Sequence, residues 1–329
     1  MEQNRLSVVV PMLNEQGNIE ELYRELTHVV RQLRFFASYE LIFVNDGSSD
    51  QTLSIAKRIA LNDPCAKIIS FTRNFGHEHA TYAGICHALG DAVVLIDADR
   101  QDPPVLILEF EKEFASGTNI VYGQRTERLN ESWLKKVTSK AFYPLFRWMT
   151  RVDLPNNVGD FCMMSRRAVD ALLALPERTL FIRGMIYWSG LSKKAVPFVR
   201  RPRGAGTTTY NYSKLTIFAL ENIISFSMVP LHWIIFLSLL IIGVSVGSAV
   251  VTLAMSLLGY ARAIGWLLVL CGMIFLCATM LLAVGIVGLY VGKIFQEIKQ
   301  RPIFIVDEYV NFDKKTGPRL SPGRHYTKV

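Results

Sequence analysis

Asp97 and Asp99 stand one residue apart at the end of an apolar run, Ala-Val-Val-Leu-Ile at 92–96, and continue as Arg100-Gln101-Asp102-Pro103-Pro104. Carboxylates in this spacing can face one divalent ion, or a diphosphate bridged by one. Mg2+ and Mn2+ take oxygen ligands and commonly share them with substrate phosphates. Such an ion would neutralise a leaving diphosphate. An isolated Asp-x-Asp pair is equally a solvated turn with a helix cap; the strand-end position and the Gln-Asp-Pro-Pro continuation argue for chemistry. Two more polar clusters close apolar runs. Asn45-Asp46-Gly47-Ser48-Ser49-Asp50 suits a turn and a helix cap, and a carboxylate there can also accept hydrogen bonds from a nucleobase or ribose. Pro11-Met12-Leu13-Asn14-Glu15 ends the first run, with Asn14 and Glu15 suited to a cap or to a nucleoside.

These clusters need a scaffold that gathers them. The pattern predicts strands at 6–11, 41–45, 67–72, 92–96 and 119–123. It predicts helices at 17–35, at 51–61 with Asp50 as N-cap, at 78–89, and at 103–115 with Pro in the first turn. Strands alternating with helices imply an α/β fold, a Rossmann-like, mainly parallel sheet covered on both faces. Ligands of such sheets bind beyond the carboxyl ends of the strands, where all three clusters fall. Residues 165–175 read as a soluble helix. Residues 133–149 mix aromatic and basic side chains at helical spacing, so a membrane-surface helix is expected there, and another near 213–226.

The chain has 329 residues, 50% of them hydrophobic, and a formal net charge of +8. The apolar excess is local. No Asp, Glu, Lys or Arg occurs from Asn222 to Ala261, Arg262 interrupts, and Ala263 to Gly292 is again uncharged. Each run suffices for one spanning helix of about 20 residues, near 233–258 and 266–291, with Arg262 in the turn. The expected domains are a cytosolic catalytic domain at 1–221, a transmembrane hairpin at 228–292 and a cytosolic tail at 293–329. Lys214, Lys293, Lys299 and Arg301 flank the hairpin, so both termini should face the cytoplasm. Basic residues beside an apolar segment suit lipid headgroups and lipid phosphate, not nucleic acid. The five cysteines form no CxxC pair and read as reduced. No signal peptide is visible, so the bulk of the chain should stay in the cytosol of a cell whose inner (plasma) membrane it spans. The tail holds a strand candidate at 302–306. If exposed, that strand could pair with a neighbouring copy, which leaves room for a homo-oligomer.

With Gly159-Asp160-Phe161, the clusters at 11–15, 44–50 and 97–104 occur in the order and spacing of family 2 glycosyltransferases of the GT-A fold. The chain resembles the dolichyl-phosphate-mannose synthase group, and its two C-terminal spans resemble the bacterial polyprenyl-phosphate glycosyltransferases. The resemblance implies a nucleotide-sugar donor, a polyprenyl phosphate acceptor and a Mg2+ or Mn2+ cofactor. By the same resemblance Pro11, Leu13 and Glu15 border the nucleoside and Asp46 contacts the base. Asp97 lies beside ribose and diphosphate, Asp99 and Gln101 hold the metal, and Asp160 sits near the reacting carbon. Arg125, Arg128, Lys136 and Arg203 meet phosphate groups. Two departures stand out. Relatives often read Tyr-Asn-Glu where this chain has Leu13-Asn14-Glu15, so no ring is available to stack on the base. Relatives often carry Ser-Lys-Tyr where Thr208-Thr209-Tyr210 stands, which leaves Arg200, Arg201 and Arg203 as the cationic candidates before the membrane.

A phosphate monoester is largely dianionic at neutral pH, so it attacks without a strong base. Direct inverting transfer is therefore expected, with Asp160 orienting substrate. UDP-glucose is the first donor to consider, with GDP-mannose, UDP-linked amino sugars and modified arabinose open. A processive polysaccharide synthase is disfavoured: the one Arg-Trp pair, Arg147-Trp148, follows Pro144 where such enzymes carry Gln. A non-catalytic scaffold would not need Asp97, Asp99, Gln101 and Asp160 together.

Overall fold

Runs of β-branched and aromatic residues set the sheet. The computed structural model describes residues 4–126, 148, 155, 157–178, 180–201, 229–257, 262–299, 301–312 and 327–328. Its strands are β1 (Arg5–Met12), β2 (Ser38–Asn45), β3 (Ala66–Phe71), β4 (Ala92–Leu95), β5 (Ile120–Arg125), β6 (Val158–Ser165), β7 (Lys193–Phe198), β8 (Ile305–Val310) and β9 (Thr327–Lys328). They form one sheet in the order β7-β5-β6-β4-β1-β2-β3-β8-β9. Five of the eight pairings are parallel, so the expected α/β sheet is present, with β6 and β8 as the antiparallel insertions.

The central strands are covered on both faces, which is why they read as continuous apolar runs. Leu6, Val8, Val9 and Val10 of β1 and Leu41, Ile42, Phe43 and Val44 of β2 are fully buried. Helices α1 (Ile19–Val30), α2 (Thr52–Asn62), α3 (His77–His87) and α4 (Ile107–Ala115) follow the strands in turn, α4 entered through a 3-10 turn at Pro104–Leu106. The N-cap of α2 is Gln51 and not Asp50; Asp50 stands one residue earlier, where its Oδ1 accepts the Thr52 N–H at 3.0 Å and the Thr52 hydroxyl at 2.5 Å. Two short helices, α5 (Arg166–Leu173) and α6 (Ile182–Trp188), lie between β6 and β7. The pattern predicted α5 but not β6, α6 or β7. In β6, Phe161, Met163 and Met164 are all buried, and a strand covered on both faces shows no alternation to read.

At the amino ends of the strands sits a buried charge. Glu40 is fully enclosed, accepting from Ser7 Oγ at 2.6 Å and the Leu89 N–H at 2.8 Å, and pairing with Arg5 at 2.9 Å and Lys67 at 2.8 Å. Burial opposes its ionisation, but these partners win and hold its pKa below the usual carboxylate value.

The tail strand corrects the sequence reading. It begins at Ile305, not at 302, and it is not exposed: β8 pairs antiparallel with β3 of its own sheet. Phe304 and Val306 are fully buried, and the Phe304 ring stacks on Phe71 at 5.1 Å. The argument for a homo-oligomer through a free tail strand therefore falls.

The chain divides into two compact units: residues 1–147, 152–209 and 300–329, and residues 148–151 and 210–299. The second unit contains α7 (Val229–Leu257) and α8 (Arg262–Ile298), both long and apolar enough to cross a membrane. Arg262 opens α8 instead of lying in the turn, and the helix outruns residue 291 because nothing breaks it before Pro302. Phe236 is 71% exposed and Leu281 74% exposed. A water-soluble helix hides its apolar stripe; helices apolar on all sides require lipid or protein around them. Of the expected membrane-surface helices, only Trp148 lies within the described residues, its ring 6.2 Å from Trp233.

Candidate active site

Strand direction assembles the site. The parallel strands β1, β2, β3 and β4 deliver their following loops to one end of the sheet. Because β6 runs antiparallel to β4, its beginning lies at that same end. The register pairs Leu95 with Cys162, so two residues onward on one strand and two residues back on the other bring Asp97 beside Asp160. Between them stands His77, the first residue of α3. Its Nε2 lies 3.6 Å from Asp97 Oδ1 and 3.7 Å from Asp160 Oδ2. Arg183 of α6 donates to Asp160 Oδ1 through Nε at 3.0 Å and Nη2 at 2.8 Å.

These charges set one another. Burial favours neutral His77, but the Asp160 and Asp97 carboxylates outweigh it and raise its pKa to about 10. Burial likewise opposes charge on Asp160, yet Arg183 and His77 hold its carboxyl well below the usual range. Asp97 moves the other way, raised by burial and by the neighbouring Asp160 and Asp99 charges against the pull of His77. The neighbouring Glu78 is raised by burial and by Asp160, while its Oε2 accepts the Ile182 N–H at 3.0 Å.

Asp99 lies beside this group. Its Oδ1 accepts the Gln101 N–H at 3.0 Å and its Oδ2 is 3.6 Å from Arg200 Nη2. Asp102 is fully buried, with Arg200 Nε at 3.6 Å and Arg125 Nη2 at 3.8 Å and, among the described residues, no hydrogen bond to either carboxylate oxygen. Burial and the Asp97 charge push its pKa up to about 6 against those two cations. Gly159 allows this arrangement: a Cβ there would stand 2.5 Å from Arg125 Nη2.

The clusters at 11–15 and 44–50 are tied together. Asp46 is buried, and its carboxylate accepts the Phe75 N–H at 2.7 Å and the Gly76 N–H at 3.0 Å. Desolvation raises its pKa against those bonds. Gly47 sits at φ +69°, and a Cβ there would be 2.4 Å from the Arg73 carbonyl carbon, so only glycine fits the contact. Asp46 thus fixes the loop that leads into His77, and any base contact must share a carboxylate already engaged. Pro11 is buried in β1 opposite Val44, whereas Leu13 is 38% exposed at the strand end. Asn14, at φ +54°, accepts the Ser49 N–H at 2.9 Å, and Glu15 Oε2 accepts from Asn18 at 2.6 Å. Arg125 is at the end of β5; Arg128, Lys136 and Arg203 lie outside the described residues.

Sequence reasoning missed His77 and Arg183. A signal existed for His77: Arg73-Asn74-Phe75-Gly76-His77 is a fourth polar segment closing a strand. Arg183 had none, because α6 was not anticipated.

Among the described residues His77, Asp97 and Asp160 form a donor set for a divalent ion, with one ligand atom from each lying within 4.8 Å of the others. Asp99, expected to ligate together with Gln101, is not in that set; its carboxylate faces the Gln101 N–H at 3.0 Å and Arg200 at 3.6 Å, and both residues carry oxygen donors of the kind Mg2+ and Mn2+ take.

Acidic side chains thus gather beyond the carboxyl ends of a mainly parallel α/β sheet, where ligands of such sheets bind. The sequence model described as Glycosyl transferase family 2 matches residues 7–173. A glycosyltransferase of Synechocystis sp. without assigned specificity is 40% identical over 309 residues, covering 92% of this chain and 95% of that one. The SfII prophage-derived bactoprenol glucosyl transferase of Shigella flexneri is 37% identical over 304 residues, covering 92% of this chain and 97% of that one. Glucosyl-3-phosphoglycerate synthase from Mycobacterium tuberculosis, solved with Mn2+, UDP and phosphoglyceric acid, superposes with a TM-score of 0.50 at 20% identity, over 67% of this chain and 76% of that one. That last likeness is one of fold. The chain belongs to glycosyl transferase family 2, and it is a glycosyltransferase.

Proposed function

We propose that this enzyme transfers a sugar, with glucose from UDP-glucose as the first candidate, to a polyprenyl phosphate in the bilayer, with inversion at the anomeric carbon. The observation that carries the proposal is the juxtaposition of Asp160 with Asp97 at the rim of the sheet in a chain that also carries two membrane-length helices. The bactoprenol glucosyl transferase relative, matched over nearly its whole length, supports both donor and acceptor. A polyprenyl chain leaving the membrane would expose apolar surface at about 0.8 kcal/mol per CH2, so the enzyme must come to the lipid. The basic residues flanking the hairpin favour a cytoplasmic catalytic unit and cytoplasmic termini in the inner (plasma) membrane.

In the proposed step an oxygen of the acceptor phosphate bonds to the anomeric carbon as the bond from that carbon to the donor diphosphate breaks, and UDP leaves with the electron pair. Asp99 and Gln101 would hold Mg2+ or Mn2+, which when bound neutralises charge on the leaving diphosphate. Asp160, locked in its charged form by Arg183 and His77, is a weak proton acceptor and a good orienting group. The dianionic acceptor requires no base. Positioning and electrostatics then supply most of the rate. Leu13 and Glu15 would border the nucleoside, and Arg125, Arg128, Lys136 and Arg203 the phosphates.

The test uses the full chain in lipid vesicles containing undecaprenyl or dolichyl phosphate. Radiolabelled UDP-glucose, GDP-mannose and UDP-amino sugars are supplied in turn, with and without EDTA. The expected result is an EDTA-sensitive, lipid-extractable product from one donor. Donor binding without any lipid-linked product would leave only a scaffold.

A further inference from the structure

Arg100, between Asp99 and Gln101, has φ +60°, a left-handed backbone that side-chain-bearing residues seldom hold. The turn it makes brings the Gln101 N–H onto Asp99 Oδ1 at 3.0 Å. Something must hold Arg100 there, and the structure shows what does. Glu25, in the middle of α1, accepts from Arg100 Nη2 at 2.7 Å through one carboxylate oxygen and from Arg201 Nη1 at 3.0 Å through the other. Arg201 in turn donates its backbone N–H to the Gln101 carbonyl at 2.9 Å. The acidic turn and the segment leaving β7 are thus strapped together through one side chain that α1, packed in the core, keeps in place.

We infer that Glu25 is a positioning residue for the transfer reaction: it fixes the left-handed turn that aims Asp99 and Gln101, and registers that turn against the Arg200-Arg201 segment. The inference rests on the reading that Asp99 and Gln101 hold the divalent ion. Glu25 is only 22% exposed, and charge-assisted bonds from one carboxylate to two guanidiniums are stronger and more directional than a lone surface pair. Outer partners of this kind orient the groups that touch the metal.

The experiment measures Mn2+ binding directly, by electron paramagnetic resonance of free Mn2+, on the full chain in lipid nanodiscs with UDP present. Glu25→Ala is expected to weaken Mn2+ by about ten-fold, as loss of an orienting partner typically does. Adding Arg100→Gly should restore affinity to within about two-fold of Arg100→Gly alone, because glycine holds positive φ without a strap. Thermal midpoints report whether each variant folds. If Glu25→Ala does not, Glu25→Gln, which keeps size and one acceptor, carries the test with an expected loss of about three-fold. A folded Glu25 variant with wild-type Mn2+ affinity overturns the inference, as does failure of Arg100→Gly to restore it. Asp99→Ala separates the two claims: unchanged Mn2+ binding there refutes the metal reading itself, whereas lost binding there with unchanged binding in the Glu25 variants refutes only the strap.

Discussion

Asp160 is held between a guanidinium at 2.8 Å and an imidazole at 3.7 Å, beside Asp97. In the proposed mechanism a carboxylate so fixed would serve electrostatics and orientation. Asp160→Asn keeps the shape but removes the charge, and kcat should fall by at least about 100-fold, with donor KM little changed, as for loss of a group acting mainly in the transition state. Steady-state kinetics at saturating Mn2+ checks this. Gly159 is the second residue-scale constraint. In Gly159→Ala the new methyl would meet Arg125 Nη2, the far end of a flexible side chain that can swing aside, so the stability cost should be small, about 1 kcal/mol or less. The loss should appear as a lower thermal midpoint. It should be accompanied by reduced activity, since Arg125 is displaced from Asp102.

At the scale of elements, β8 and the residue after it are part of the unit that holds the sheet. Asn311, at φ +60°, donates its side-chain amide to the carbonyls of Ala60 at 2.7 Å and Ala66 at 2.8 Å. Asn311→Ala orphans those carbonyls and adds left-handed strain, so it should cost about 2–4 kcal/mol; Asn311→Gly should cost less, because the strain term vanishes. The same strand meets α3 at His87, which lies 2.7 Å from the Ala83 carbonyl through Nδ1 and 3.0 Å from the Tyr309 hydroxyl through Nε2. Burial lowers the His87 pKa to about 4. The unfolded chain therefore binds a proton that the folded chain refuses between about pH 6.5 and 4. Stability from this group is fully present above about pH 6.5 and is lost as pH falls toward 4, by on the order of 3 kcal/mol at most. Thermal midpoints at pH 7.5 and 5.0 should differ more in the wild type than in His87→Asn. Elements were legible where pattern and burial agree: β1 to β4 and their helices follow directly from apolar runs and their spacing. Apart from α5, they were not legible from 158 to 198, where β6 is buried on both faces and β7 is a short edge strand that opens on two lysines and carries Pro197. The tail strand was seen three residues early because Pro302-Ile303-Phe304 is apolar for packing, not pairing.

For the whole molecule, a GT-A unit and a pair of helices long and apolar enough to cross a membrane stand on one chain, the combination that the proposed lipid acceptor would require. The acidic turn at 97–102 was legible because strand ends collect chemistry. His77 and Arg183 were hidden because their roles arise only when α3 and α6 converge on Asp160. The helices expose apolar side chains on every face, so the chain should stay in the membrane pellet after alkaline carbonate washing. Release into the supernatant would contradict the spanning assignment. The central claim is that this acidic rim drives sugar transfer to a membrane-held phosphate. The most direct measurement is the rate of lipid-linked product formation in vesicles containing undecaprenyl phosphate, comparing wild type with Asp99→Ala and Asp160→Asn at saturating Mn2+. The account predicts robust, EDTA-sensitive transfer by the wild type and at least about 100-fold less by each folded variant. Near wild-type rates in those variants, or wild-type transfer only to acceptors in water, would contradict it.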